Sequence, residues 1–180
     1  MRSRVRVVLP LLLRALTGTD DQRTEWTRDR VLDGARLAEG DDVLDLGATD
    51  ALLTFGALER IGDGWVYAVD PSVEALEELE RQAEQIRAAG IAYLVGDACV
   101  LPLPDASVDA AVARSLSSVE DVDEAARELR RVLRAGGRVS LVVAIDDDAE
   151  GLTRALQDAG FADVQLERDR DATFVRARRP

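Results

Sequence analysis

Histidine, lysine and asparagine are absent from the 180-residue chain, and cysteine occurs once, as Cys99. Without histidine there is no Ser-His-Asp triad and no histidine-bearing zinc site, and a lone thiol cannot complete a cysteine-only metal site. Without lysine there is no P-loop, no Schiff-base mechanism and no Tyr-Lys pair of the short-chain dehydrogenase kind. A single cysteine also excludes an internal disulfide, which fits the cytoplasm, the expected location. With no histidine or lysine to activate it, Cys99 reads as a small, partly buried core residue rather than a nucleophile. No apolar run has the length of a membrane span. The formal net charge of -12 argues against a nucleic-acid partner, because binding to phosphates draws on clustered cations.

The opening stretch MRSRVRVVLPLLLRALTG has the basic start and apolar middle of a secretory signal. Pro10 and Arg14 interrupt that apolar run, however, and no A-x-A cleavage site follows. Residues 1–21 are read instead as an N-terminal extension with a short helix over 10–17, Pro10 at its first position and Gly18 after its last. That helix would pack on the domain or over its site as a lid.

The apolar fraction, 47%, is that of a globular protein, and the length suits one domain, expected over 22–180. From residue 22 short apolar runs alternate with helical patterns, the rhythm of an α/β protein with a mainly parallel sheet. The pattern predicts helices over 22–38, 50–61, 73–89, 121–134 and 149–159, and strands over 42–46, 65–69, 91–95 and 108–113. Along 73–89 the apolar face comprises Val73, Leu76, Leu79, Ala83 and Ile86, with Ser72 as N-cap and Gly90 as the stop. After a turn at Gly136-Gly137, the continuous apolar run RVSLVVAI over 138–145 suits a strand buried on both faces. The tail FADVQLERDRDATFVRARRP predicts an antiparallel hairpin turning around Arg170-Asp171 at one end of the sheet.

Ligands of an open parallel sheet bind outside the carboxyl ends of its strands, and four such ends carry polar groups. In VLDLGATD, Gly47 permits a tight strand-to-helix turn and the next helix points its backbone N–H groups at whatever sits there. In VDPS, Asp70 is placed to accept from two ribose hydroxyls or to shape an ordinary turn into a helix. In GDAC, Asp97 accepts from an adenine amino group or caps the following turn. In ARSLS, Arg114 faces a substrate, a cofactor carboxylate or a neighbouring acid.

Taken in order, VLDLG, VYAVDPS, GDACVLPLPDASVDAAVA, LRRVLRAGGRVSLV and a terminal hairpin opened by AGF resemble the class I S-adenosylmethionine-dependent methyltransferases of small molecules, from about Arg30 onward. The resemblance implies a Rossmann-like three-layer α/β sandwich, its seven-stranded sheet mainly parallel with an antiparallel C-terminal strand. It implies S-adenosyl-L-methionine as cofactor, with Asp45, Gly47 and Ala48 along the methionine part, Asp70 on the ribose, and Asp97 with Ala98 beside the adenine. Thr49, Pro71 and Arg114 complete the expected cofactor set.

The chain departs from the family's G-x-G-x-G, whose three positions read Gly47, Thr49 and Ala51. Ala51 adds only a methyl group. Thr49 puts a β-branched side chain where the backbone approaches the cofactor and adopts positive φ. Asp50 adds an anion near the expected cofactor carboxylate, or caps its helix. AIDDDAEG runs directly into a helix, so the substrate cover is thin. ARSLSS replaces the N/D-P-P-Y/F motif of amino-group DNA methyltransferases, which again disfavours nucleic acid. Two functions fit: methyl transfer to a small molecule, with no catalytic residue or metal assigned, or a methyltransferase-like binding or regulatory protein without turnover. Either form is compatible with a homo-oligomer or a partner subunit. A nicotinamide-dependent oxidoreductase is disfavoured by the missing G-x-G-x-x-G.

Overall fold

The structure, a computed structural model, describes residues 22–48, 51–114, 119–144, 148–169 and 172–180. The expected helix over 10–17 and the positions Thr49 and Asp50 lie outside them. In chain order the elements are α1 (Gln22–Ala35), β1 (Val43–Leu46), α2 (Leu52–Ile61), β2 (Val66–Asp70), α3 (Val73–Ile86), β3 (Ile91–Val95) and β4 (Val108–Ala113). Then follow α4 (Val122–Val132), β5 (Leu133–Val143), α5 (Ala149–Asp158), β6 (Ala162–Arg168) and β7 (Thr173–Arg178).

The strands form one sheet in the order β3-β2-β1-β4-β5-β7-β6. Neighbours from β3 through β5 pair in parallel, while β7 runs antiparallel to both β5 and β6. The expected α/β sandwich with an antiparallel C-terminal strand is therefore present, and the tail forms the expected hairpin. Side chains along the central strands alternate between two cores. Leu44, Leu46, Ala111 and Ala113 face Leu129 and Val132 of α4 and Leu152 and Leu156 of α5. Val43, Ala110 and Val112 face Val31 and Leu32 of α1 and Ala57 and Ile61 of α2. A third cluster joins Phe55 of α2 to Leu76, Leu79 and Ala83 of α3 over Ala68.

Several sequence expectations are corrected. Helix α1 ends at Ala35 rather than 38, because Arg36 turns the chain at φ 48°. Helix α3 ends at Ile86, its last buried position, and Arg87 rather than Gly90 takes the left-handed turn, at φ 54°. Val73 is 47% exposed and does not belong to the buried face of α3. Helix α4 gives way directly to β5 at Leu133, so Gly136 and Gly137 lie within a strand instead of a separating turn. Val108 pairs with Leu133 and Ala110 with Arg138, and the intervening residues bulge out of the ladder there. Strand β5 stops at Val143, short of the expected 145.

The segment LPLPDAS is fastened to α4 and so fixes where β4 begins. Arg131 donates to the carbonyl oxygens of Leu101 and Leu103 at 3.0 and 2.7 Å, and the Leu101 N–H donates to Glu128 at 2.8 Å.

Candidate functional site

Strand order reverses between β1 and β4, which opens a crevice at their carboxyl ends. Leu46 pairs with Val69 on one side and Ala113 on the other, and Asp70 pairs with Val95. The next residues, Gly47, Asp70 and Arg114, therefore stand at one level along this edge, with Gly96-Asp97 one strand further out. The ladder continues past the strands, since the Gly47 N–H donates to Val69 O at 2.8 Å and the Gly96 N–H to Asp70 O at 3.2 Å.

Gly47 has φ 77°, and among the described residues beyond its chain neighbours a Cβ built on it would meet no atom within 4 Å. A side chain there would be strained and would fill open space against which a ligand can lie. Ala48 is buried. Ala51 stands just before α2 at φ 60° and ψ -8°, with its methyl group buried in the third cluster and no side-chain cap. The left-handed residue at the head of α2 is thus an alanine, and the first N–H groups of that helix have no side-chain acceptor from the capping position. Sequence reasoning assigned the strain to Thr49 and treated Ala51 as the milder change. The described strain is at Ala51, while Thr49 lies outside the described residues.

Asp45 lies in the middle of the sheet, 2% exposed, and its Oδ2 accepts from Thr54 Oγ1 at 2.5 Å. Burial pushes its carboxyl up to about 6, and the negative charge of Asp70 acts in the same direction. The Thr54 hydrogen bond and the positive charge of Arg114 oppose the rise. Arg114 is half-buried. Burial weakens its hold on the proton relative to an ordinary arginine, and the charge of Asp45 partly restores it. Thr54 was missed in the sequence. A threonine nine residues after the strand acid, one turn into the next helix, was its only signal.

Asp70 is 3% exposed and its Oδ1 accepts the Ser72 N–H at 2.8 Å. Among the described residues its other oxygen receives no hydrogen bond and remains for a ligand. Ser72 caps α3 by accepting from the Ala75 N–H, as expected. Pro71 is exposed. Asp97 is exposed just past the end of β3, and its Oδ1 accepts from the Cys99 N–H at 2.7 Å, so the turn-shaping role is occupied. Ala98 belongs to the core. The Cys99 thiol donates to Asp121 O at 3.4 Å, and burial pushes its pKa up, so it stays a thiol. Val73, Val95 and Val100, 47%, 57% and 74% exposed, follow or precede these acids and give this end of the edge an apolar rim. Among the described residues no cluster of acidic or cysteine side chains suits a metal ion.

Asp45, Gly47, Asp70 and Arg114 are therefore brought together at the reversal of strand order, with Asp97 and Ala98 beyond them. The edge offers an open glycine, a carboxylate with a free oxygen, a cation and an apolar rim. That set fits an extended ligand with hydroxyls, a carboxylate and a flat ring, and its buried acids suit a cationic centre. S-adenosylmethionine has all of these groups.

Comparison with known proteins places the chain among methyltransferases. The chain is 40% identical over 128 residues to an uncharacterized methyltransferase of Mycobacterium bovis, covering 71% of this chain and 50% of that protein. It is 35% identical over 136 residues to a ubiquinone/menaquinone biosynthesis C-methyltransferase of a Caulobacter species, covering 71% and 53%. The chain thus spans about half the length of these curated relatives. A solved structure of an S-adenosylmethionine-dependent methyltransferase from Aquifex aeolicus shares the fold with a TM-score of 0.75 at 21% identity, over 92% of this chain and 97% of that one. The family described as Methyltransferase domain matches residues 44–141, from within β1 to within β5, and the chain belongs to it.

Proposed function

We propose that this chain transfers a methyl group from S-adenosylmethionine to a small organic acceptor. The observation that carries the reading is the level row of Gly47, Asp70 and Arg114 at the strand reversal, with open space above the glycine. Gly47 and Ala48 would lie along the methionine part, and Arg114 would pair with its carboxylate. The free oxygen of Asp70 would accept from the ribose hydroxyls, beside Pro71. Asp97 and the backbone at Ala98 would face the adenine against the apolar rim.

When bound, the cofactor supplies a methyl group already activated by the sulfonium. The protein's task is then mainly to hold the two reactants in line and exclude water. Asp45, once ionised, would favour the cationic ligand, and Thr54 holds its carboxylate in place. No histidine is available as a base, so the acceptor either arrives ionised or loses its proton to an acidic residue.

The turn before α2 is left-handed at Ala51, without needing a glycine there, which supports a working site over a degenerate one. Residues 144–148 alone separate β5 from α5. Cover for the acceptor would then come from 1–21 or from a partner subunit, over a domain spanning 22–180. Calorimetric titration with S-adenosylmethionine tests the reading: saturable binding that tightens between pH 5 and pH 7 is expected. Absence of binding at millimolar cofactor would refute it.

A further inference from the structure

The opposite edge of the sheet carries a cavity of about 360 Å³ lined by Asp105, Arg127, Arg130, Arg131, Ala159 and Arg179. It sits where α4 runs into β5, beside the end of α5 and the end of β7. Four guanidinium groups share this lining with a single carboxylate in a chain whose net charge is -12. Not all four are committed to acids. Arg127 pairs with Glu124, and Arg131 with Glu128 and Asp105. Among the described residues Arg179 donates to the carbonyl oxygens of Arg131 and Leu133 and pairs with no carboxylate. Arg130 lies against the chain reversal at Gly160, and among the described residues it has no carboxylate within ion-pair distance. Its Nε is buried and makes no hydrogen bond.

Guanidiniums at the end of a helix complement the dipole of that helix. This accounts for their position, but not for a cavity between them. The surrounding negative field would also repel a stray anion, so binding here requires a local arrangement of donors. Planar guanidinium forks match phosphate oxygens two at a time, and the volume is at the small end of ligand sites. We propose that this cavity binds a compact phosphate-bearing anion, held chiefly by Arg130 and Arg179 with Arg127 at the mouth. The site is separate from the methyl-transfer edge, so such an anion would act as a hold on the α4–α5 pair and not on cofactor affinity.

The test is calorimetric titration of the full chain with pyrophosphate and with orthophosphate in chloride buffer of fixed ionic strength, with and without saturating S-adenosylmethionine. Saturable one-to-one binding of pyrophosphate, unchanged by the cofactor, is expected. Arg130→Gln should weaken it at least about tenfold. No saturable heat overturns the proposal, as does displacement by S-adenosylmethionine, which would place the anion in the other crevice. Equal affinity in a folded Arg130→Gln variant overturns it as well. If that variant fails to fold, Arg127→Gln, at a side chain 56% exposed, replaces it, and unchanged affinity there has the same force.

Discussion

Replacing Asp45 with asparagine should stabilise the protein at neutral pH, and the pH dependence of the gain is the informative part. The carboxyl is pushed from its ordinary 3.8 to about 6, chiefly by burial. Between these values the unfolded chain ionises Asp45 while the folded chain keeps the proton, so stability falls as pH rises through the window. Above about pH 6 both states are ionised and the loss levels off. At about 1.4 kcal/mol per pH unit, the full gap corresponds to about 3 kcal/mol. At pH 5 the loss is about half of that, on the order of 1–2 kcal/mol.

Asparagine preserves the shape and its amide oxygen still accepts from Thr54, so the variant retains the hydrogen bond and escapes the buried charge. Urea denaturation followed by far-UV circular dichroism at pH 5 and pH 8 measures the difference. Asp45→Asn should exceed wild type by about 3 kcal/mol at pH 8 and by about half as much at pH 5. A gap that does not change with pH, or a variant less stable at pH 8, would refute the assignment of the raised pKa to Asp45. The same variant should bind S-adenosylmethionine more weakly and lose the tightening between pH 5 and pH 7.

Thr54→Val removes the hydroxyl that stabilises the Asp45 carboxylate, so the pH at which stability levels off should move above 6, with a further loss at pH 8 of about 1–2 kcal/mol read from urea midpoints. Ala51→Gly should be nearly neutral: relief of about 1–2 kcal/mol of left-handed strain is offset by about 0.8 kcal/mol for the buried methyl and about 0.4–1 kcal/mol of unfolded-chain entropy. A stability change beyond about 1 kcal/mol in either direction counts against the conformation described for Ala51. Because that turn is already formed, cofactor affinity should change less than about threefold in Ala51→Gly, and any larger gain should come from Thr49→Gly. Arg131→Met leaves the carbonyl groups of Leu101 and Leu103 without their donor and should lower stability by about 2 kcal/mol, with early loss of protection in amide exchange over 101–107.

Where one face pattern dominated, the elements were legible in the sequence. The mainly apolar central strands, the Ser72 cap and the terminal hairpin follow from periodicity and turn chemistry that act within a few residues. The boundaries that moved were set by tertiary demands. Arg36 ends its helix early in a left-handed turn, Arg87 takes the helix-ending turn expected of Gly90, and Val73 shares the spacing of a buried stripe yet lies beyond its packed neighbours. The start of β5 depends on pairing between Leu133 and Val108, a contact no local pattern records. At the site, residue types at strand ends were readable because the fold fixes where those ends lie. The Thr54 hydroxyl on Asp45 and the backbone angle of Ala51 were not, since each depends on how α2 is set against β1.

A buried carboxylate worth about 3 kcal/mol of instability needs an explanation for why β1 tolerates it. The ion pairs at the other end of the sheet, Asp41 with Arg138 and Asp42 with Arg134, are partly exposed and contribute at most about 1 kcal/mol each. They do not offset it. The apolar residues of β1 itself do: Val43, Leu44 and Leu46 are each 5% exposed or less and bury their side chains in two different cores, at about 2 kcal/mol apiece. One acid in a four-residue strand is therefore outweighed by its neighbours about twofold, and the strand keeps its register. Asp45→Asn should accordingly gain stability without moving the fold, so that any loss of cofactor affinity in it reports the carboxylate and not a collapsed crevice. A variant that gained stability and kept full affinity at every pH would mean that the charge of Asp45 serves neither.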